Sequence, residues 1–212
     1  MARATILFAA LCALAVPPAS AQGPAPTAFK AISPIYGQLV MFGMPSNFVT
    51  VFENTNGPNY IRESVLKGET VKSWTQMITV TGVKGAAGNP KASPESFAAS
   101  LAGGFKSACP DSFTARSFGP TKFGDQDAYV AVASCGRVDS SADKHGEAAL
   151  IVTVKGSADY YTLQWAERAP AAAPSAIDEA KWLARLRQLQ PIRLCPIVPG
   201  EPAPYPSCAG KN

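Results

Sequence analysis

The stretch YIRESVLKGETVKSWTQMITVTGV, residues 60–83, decides the fold of this chain. Its two ends, 60–66 and 77–83, are rich in β-branched and aromatic residues, which favour strands. The polar residues 67–70 between them indicate a turn, with room for one loose helical turn before Trp74. The pattern predicts two neighbouring strands joined by a short polar connection.

Further strand patterns lie on both sides of this stretch. Upstream, an apolar segment at 35–44 and an alternating segment at 48–53 precede a turn at 54–59 that is rich in Asn, Gly and Pro. Downstream, four strand-like segments are separated by glycine-containing turns: 113–118, 127–135, 148–155 and 160–166. The continuous apolar centre of 148–155 predicts a strand that is covered on both faces.

A first amphipathic helix is predicted between Ser93 and Cys109. The Ser93 side chain can cap it, Pro94 suits its first turn, and the proline after Cys109 ends it. Gly103 and Gly104 weaken such a helix by about 1 kcal/mol each relative to alanine. We expect them to allow another backbone to approach closely.

A second helix is predicted between the capping residue Ser175 and Pro191, which stops it. Together the patterns predict an α+β fold, with an antiparallel sheet of about six to seven strands packed against two helices and stapled by disulfides. The proline-rich segment 192–212 follows, and we expect it to form neither a helix nor a central strand.

The chain begins with the pattern of an export signal. Arg3 precedes an apolar run at 6–16, and Ala19-Ser20-Ala21 is a small-x-small cleavage site. The alternative, a membrane anchor, needs about 20 apolar residues. We therefore predict a signal peptide at 1–21, a single domain at 22–191 and a proline-rich tail at 192–212, without a transmembrane segment, in the periplasm or secreted.

The cysteine count indicates disulfides. Of five cysteines, Cys12 falls within the predicted signal peptide, which leaves Cys109, Cys135, Cys195 and Cys208. An even number in an exported chain is typical of disulfide bonding. Since nearer partners have the smaller loop-closure cost, we predict Cys109–Cys135 and Cys195–Cys208 among the three possible pairings. A zinc site is the alternative, but the chain has one histidine and no CxxC pair.

Charge and motifs exclude several classes of function. The formal net charge of +4 and the scattered Lys and Arg residues do not predict nucleic-acid binding. No glycine-rich phosphate loop occurs, and we expect no cofactor and no metal. The histidine, His145, lies in a polar turn, and the chain has no GxSxG elbow, which predicts an exposed histidine rather than a catalytic base.

The best candidate for ligand binding lies beside the turn at 67–70. Trp74 has polar neighbours next to a turn, so Glu69, Trp74 and Gln76 are the predicted ligand-binding residues. The alternative is that Trp74 packs in the core, as most aromatic residues do.

A family resemblance accompanies these residues. Gly68-Glu69-Thr70 and the segment WTQMIT at 74–79 resemble a stretch in uncharacterised exported proteins of proteobacteria. The order of hairpins, helix, antiparallel meander and closing helix is similar to the PsbP-like α/β/α sandwich. The resemblance implies a small, non-catalytic accessory or binding domain and assigns no catalytic residue; the tail after Pro191 is not part of it.

Three functions follow as hypotheses. The first is an exported, non-catalytic accessory or binding protein for an unknown protein or small-molecule partner. The second is a hydrolase with a cryptic carboxylate or serine site, which predicts a pocket converging on Glu69, Asp125 or His145. The third is an envelope-associated structural protein that docks through its tail.

Overall fold

The structure, a computed structural model, describes residues 27–139, 143–174 and 176–210. The predicted signal peptide and the predicted cap Ser175 lie outside the described residues. The described part of the chain forms ten strands: β1 (Ala28–Ile35), β2 (Gln38–Pro45), β3 (Phe48–Asn56), β4 (Asn59–Leu66), β5 (Gln76–Val83), β6 (Phe113–Phe123), β7 (Gln126–Cys135), β8 (His145–Lys155), β9 (Tyr160–Pro170) and β10 (Arg193–Pro196). It also forms three helices: α1 (Pro94–Ala108), α2 (Glu179–Leu189) and α3 (Pro206–Ala209).

The strands form two antiparallel sheets. The larger sheet has the order β3-β4-β5-β9-β8-β7-β6, and the smaller sheet has the order β1-β2-β10. The larger sheet consists of two meanders, β3 to β5 and β6 to β9, which join where β5 pairs with β9. At this junction Ile78 lies opposite Trp165, and Val80 lies opposite Leu163.

The main core lies between the larger sheet and a layer formed by the smaller sheet and α2. Strand alternation explains it, because one face of each central strand is apolar. Ile78 and Leu150 of the larger sheet, Phe42 of β2 and Trp182 of α2 share this core. We call the opposite side of the larger sheet its outer face. There α1 packs over β7 and β8, with Ala98 against Ile151.

The predicted α+β class is wrong in its proportions, because the protein is predominantly β. The prediction of about six to seven strands describes the seven-stranded sheet but omits the smaller one. The predicted strand at 35–44 corresponds to β2 but begins too early, since Ile35 ends β1 and Tyr36, at φ 53, and Gly37 form the turn between β1 and β2. Strand β1 is hard to recognise because, as an exposed edge strand, it mixes polar and apolar residues.

The proline-rich tail packs against the smaller sheet. β10 is an edge strand beside β2, a position that tolerates Pro196. The expectation that the tail forms no helix is wrong, because α3 begins at Pro206, and proline fits the first turn of a helix. Cys208 contacts Leu39 and Met41, so the tail covers the side of β2 that faces away from the main core.

The predicted start and end of α1 are confirmed. The Ser93 hydroxyl accepts a hydrogen bond from the Ser96 amide, and the helix ends before Cys109. The expectation for Gly103 and Gly104 is wrong, because no atom lies within 4 Å of a β-carbon built at either position. The close approach occurs instead at Gly43 of β2, where a β-carbon would lie 2.6 Å from the Gln188 carbonyl oxygen of α2.

Helix α2 starts later than predicted. Its cap is Asp178, whose carboxylate accepts a hydrogen bond from the Lys181 amide at 3.0 Å. Trp182 and Leu189 are its buried residues.

Both predicted disulfides are confirmed. Cys109–Cys135 ties the end of α1 to the end of β7, and Cys195–Cys208 ties β10 to α3. Two disulfides fit a protein of an oxidising compartment, such as the periplasm or the extracellular space. No helix within the described ranges is long and apolar enough to cross a membrane.

Candidate ligand groove

A groove occupies the part of the outer face that α1 leaves uncovered. It lies over β4, β5 and β9, and its volume of about 510 Å³ falls within the range of small-molecule sites. The residues that line it come from four strands, from α1 and from the loop before β5: Ile61, Glu63, Val71, Trp74, Met77, Thr79, Thr81, Leu101, Phe105, Glu147, Ala149, Gln164, Ala166 and Arg168.

The floor of the groove carries three polar side chains in line, Glu63, Thr79 and Gln164, which we call the polar row. Glu63 is paired with Thr79 across β4 and β5, and Thr79 is paired with Gln164 across β5 and β9. Since neighbouring strands lie about 4.8 Å apart, the row spans roughly 10 Å. All three residues are half-buried. None of their side chains forms a hydrogen bond or an ion pair with another described residue.

The residues on either side of the polar row already have partners within the protein. On one side Met77 packs with Val65 and Ala166 in a small apolar cluster. On the other side the hydroxyls of Thr81 and Thr162 form a hydrogen bond of 2.6 Å with each other. The unused hydrogen-bonding capacity of the floor is therefore concentrated in the polar row.

Glu63 is the charged member of the row. Burial raises the pKa of its carboxyl group above the ordinary value, because removal from water disfavours the charged form. Within the described part of the chain no cation pairs with this carboxylate. A positively charged or hydrogen-bond-donating group in the groove would stabilise the ionised form.

One wall of the groove is a stack of Trp74, Arg168 and Glu147. The Arg168 guanidinium lies 3.9 Å from the centre of the Trp74 ring, and its Nε donates to Glu147 Oε2 at 3.3 Å. The Arg168 amide also donates to the Thr75 carbonyl at 2.9 Å, which ties the loop before β5 to β9. Trp74 is 9% exposed and packs with Met77 and its neighbours, so this wall is held in place on several sides.

Of the three predicted ligand-binding residues, only Trp74 lines the groove. Glu69 Oε1 and Oε2 accept hydrogen bonds from the Thr75 hydroxyl at 2.6 Å and the Thr75 amide at 3.0 Å. Burial acts to raise the pKa of the Glu69 carboxyl group, but these bonds and others from the backbone outweigh it and lower the pKa. Gln76 Oε1 accepts from Trp165 Nε1 at 3.0 Å. Glu69 thus fixes the loop that carries Trp74, and Gln76 satisfies a buried tryptophan.

His145 is less exposed than the sequence predicts. Its side chain is 11% exposed, with Nδ1 2.8 Å from Asp143 Oδ1 and Nε2 3.3 Å from Glu147 Oε2. Both ring nitrogens therefore face carboxylates, and neither is left to activate a nucleophile. The groove is lined by other residues than Glu69, Asp125 and His145.

The polar row is missing from the sequence prediction. Strand alternation does place Thr79 and Thr81 on the face opposite Ile78 and Val80. That pattern does not show that residues 160–170 pair with this strand, because the partner is about 80 residues away and no local turn joins the two. Gln164 could therefore not be placed beside Thr79.

The described residues contain no group of three or more His, Cys, Asp or Glu side chains that could hold a metal ion. Comparison with known proteins found no protein-family model and no curated protein that matches the chain. The similarity to the PsbP-like sandwich accordingly stays a prediction.

Proposed function

We propose that this chain is an exported, non-catalytic binding protein that holds a small ligand in the groove beside Trp74. The observation that carries the proposal is the polar row, with three half-buried polar side chains aligned on the floor and without partners in the described part of the chain. These side chains face the groove with free hydrogen-bonding capacity, and a few such polar groups on a concave surface fix the orientation and specificity of a bound ligand.

The chemistry of the groove defines the class of ligand. Glu63 is a carboxylate without a counter-ion, and burial raises its pKa, which favours a ligand with an ammonium group. Leu101 and Phe105 of α1 add apolar surface to the same groove. The ligand we propose is a small amine with an apolar or aromatic body.

Export to the periplasm or out of the cell, after removal of residues 1–21, is part of the proposal. The two disulfides support it, because such bonds persist in oxidising compartments. The hydrolase hypothesis has less support, since both His145 nitrogens face carboxylates. Tail docking also has less support, because Cys208 of the tail is buried against β2.

A matched set of three compounds tests the ligand class: phenethylamine, phenethyl alcohol and phenylacetate, which share one aromatic body. Each is titrated into the ¹⁵N-labelled protein, and amide shifts are mapped onto the structure. We expect the amine to bind most tightly and to shift the amides of residues 61–63, 79–81 and 164.

Two variants make the test specific. Glu63→Gln removes the carboxylate and is expected to weaken amine binding roughly tenfold, the effect of losing one charged hydrogen bond. Glu179→Gln is the matched control on α2, on the other side of the sheet, and it should leave binding unchanged. Equal affinities for the three compounds, or shifts outside the groove, would contradict the proposal.

A further inference from the structure

A second cavity lies at the edge of the space between the two sheets, away from the groove. It has a volume of about 380 Å³ and is bounded by residues 29–33 of β1, by the tail residues 203–205, and by Met44, Thr50 and Arg62. Its walls are mainly apolar, and its size falls at the lower end of the range of ligand pockets. We call it the Arg62 pocket.

The guanidinium of Arg62 is under-satisfied in this pocket. Its Nη1 donates a hydrogen bond to the Ser33 hydroxyl. Its Nε is shut off from solvent and has no hydrogen-bond partner among the described residues. A buried donor that neither protein nor bulk water satisfies costs about 1–3 kcal/mol, and more when the group is charged.

The charge of Arg62 is also uncompensated. Its cross-strand neighbour on β3 is Glu53, but the Glu53 carboxylate accepts a hydrogen bond of 2.6 Å from the Tyr60 hydroxyl. No carboxylate of the described chain lies within ion-pair distance of the guanidinium. The second charged residue of the pocket, Lys30, is also a cation, and its Nζ donates to the Ala209 carbonyl at 2.8 Å. The pocket thus carries two positive charges and no negative one.

We propose that the Arg62 pocket binds a small carboxylic acid with an apolar chain. Nη1 donates one hydrogen to Ser33. The outer edge of the guanidinium, formed by the second hydrogen of Nη1 and by Nη2, keeps its donors for a carboxylate. Arginine binds carboxylates along such an edge through two parallel hydrogen bonds. The apolar chain then lies against Phe29, Met44 and Pro204.

The tail acquires a role in this site. Residues 203–205 form one wall, and Tyr205 holds a left-handed backbone conformation at φ 57. Such conformations in residues other than glycine persist only where the surroundings enforce them. The Cys195–Cys208 disulfide and the Lys30–Ala209 hydrogen bond hold this segment beside β1.

The test compares octanoate with 1-octanol and octylamine, which share one chain length and differ in head group. Binding to the pocket is measured by the amide shifts of residues 29–33 and 205, since octylamine can also enter the groove beside Glu63 and a total heat of binding would include both sites. We expect octanoate to bind and to shift these amides. At these amides octanol and octylamine should bind roughly tenfold or more weakly than octanoate, because they cannot accept two charged hydrogen bonds.

Variants at Arg62 identify the contact. Arg62→Met should abolish the preference for octanoate while keeping the fold, since Arg62 is half-buried and no carboxylate of the described residues loses an ion-pair partner. Arg62→Lys keeps the charge without the paired donors and should bind octanoate with intermediate affinity. Arg116→Met is the matched control, because Arg116 lies on β6 at the opposite edge of the larger sheet.

Octanoate binding that Arg62→Met weakens and Arg116→Met does not weaken supports the site. No octanoate binding, equal binding of octanoate and octanol, or octanoate affinity unchanged in Arg62→Met overturns it. This test is independent of the proposed amine site in the groove, because it follows other amides, those of residues 29–33 and 205, and uses variants of Arg62 instead of Glu63.

Discussion

The Cys109–Cys135 disulfide provides the sharpest test of how this fold is stabilised. The perturbation is the double substitution Cys109→Ala and Cys135→Ala. Cys109 caps the end of α1 and Cys135 ends β7, and both are buried, at 0% and 2% exposure. The bridge therefore joins the only helix described on the outer face to the sheet beneath it.

The expected loss follows from the loop that the bridge closes. With a sequence separation of 26, the chain-entropy model gives about 3.5 kcal/mol at 25 °C. For a domain of this size, 1 kcal/mol shifts the Tm by roughly 2–4 °C, so the melting temperature should fall by roughly 7–14 °C. The tail bridge has a separation of 13, for which the same model gives about 2.9 kcal/mol.

The assay is urea unfolding of the wild type and of the two double variants, followed by far-UV circular dichroism. The variant Cys195→Ala, Cys208→Ala is the comparison, because it also replaces two cysteines by alanine but opens the bridge that closes the shorter loop. We expect the loss at Cys109–Cys135 to be slightly the larger of the two. A loss below about 1 kcal/mol at Cys109–Cys135 would refute the view that this bridge acts by constraining the unfolded chain.

Two further predictions concern the glycines and the groove. Gly103→Ala should stabilise the protein by about 1 kcal/mol, because alanine favours a helix and nothing lies within 4 Å of the new methyl group. Gly43→Ala should destabilise the protein by about 1–3 kcal/mol, because the new β-carbon would lie 2.6 Å from the Gln188 carbonyl oxygen. Urea titration checks both, and equal effects of the two substitutions would contradict the packing described for β2 and α2. Glu63→Gln should stabilise the protein at pH 7.5, because the raised pKa means that the ionised carboxylate costs stability in the folded state. As the pH falls through the folded-state pKa towards the ordinary value of 4.5, the wild type recovers this stability, and the difference in unfolding free energy between wild type and Glu63→Gln should vanish. An equal difference at pH 7.5 and pH 4 would argue against burial of the Glu63 carboxylate as its cause.

The sequence predicts what depends on local chemistry. Residue preferences within a few positions predict the cap Ser93 and the end of α1 before Cys109. They also predict a hairpin turn within 54–59, although the strands extend further into this segment, to Asn56 and from Asn59. The disulfide pairing follows from loop length.

The remaining features depend on contacts between distant residues. β10 is four residues long and ends in Pro196, which does not favour a strand, so only its pairing with β2 defines it. Glu63 and Arg62 are adjacent in sequence and look like an ordinary charged pair of a solvated strand. In the fold they face opposite sides of the sheet, and each lines a different cavity.

The pairing of β2 with β10 has a consequence for the order of folding. β2 ends at Pro45 and β10 begins at Arg193, so a strand near the start of the chain cannot complete its pairing until a strand near the end is available. The two meanders of the larger sheet form from neighbouring segments, whereas this contact closes a loop of nearly the whole domain and should form slowly. Until it forms, the inner strand of the smaller sheet keeps an open edge, and partly synthesised chains are exposed to wrong strand pairing at that edge.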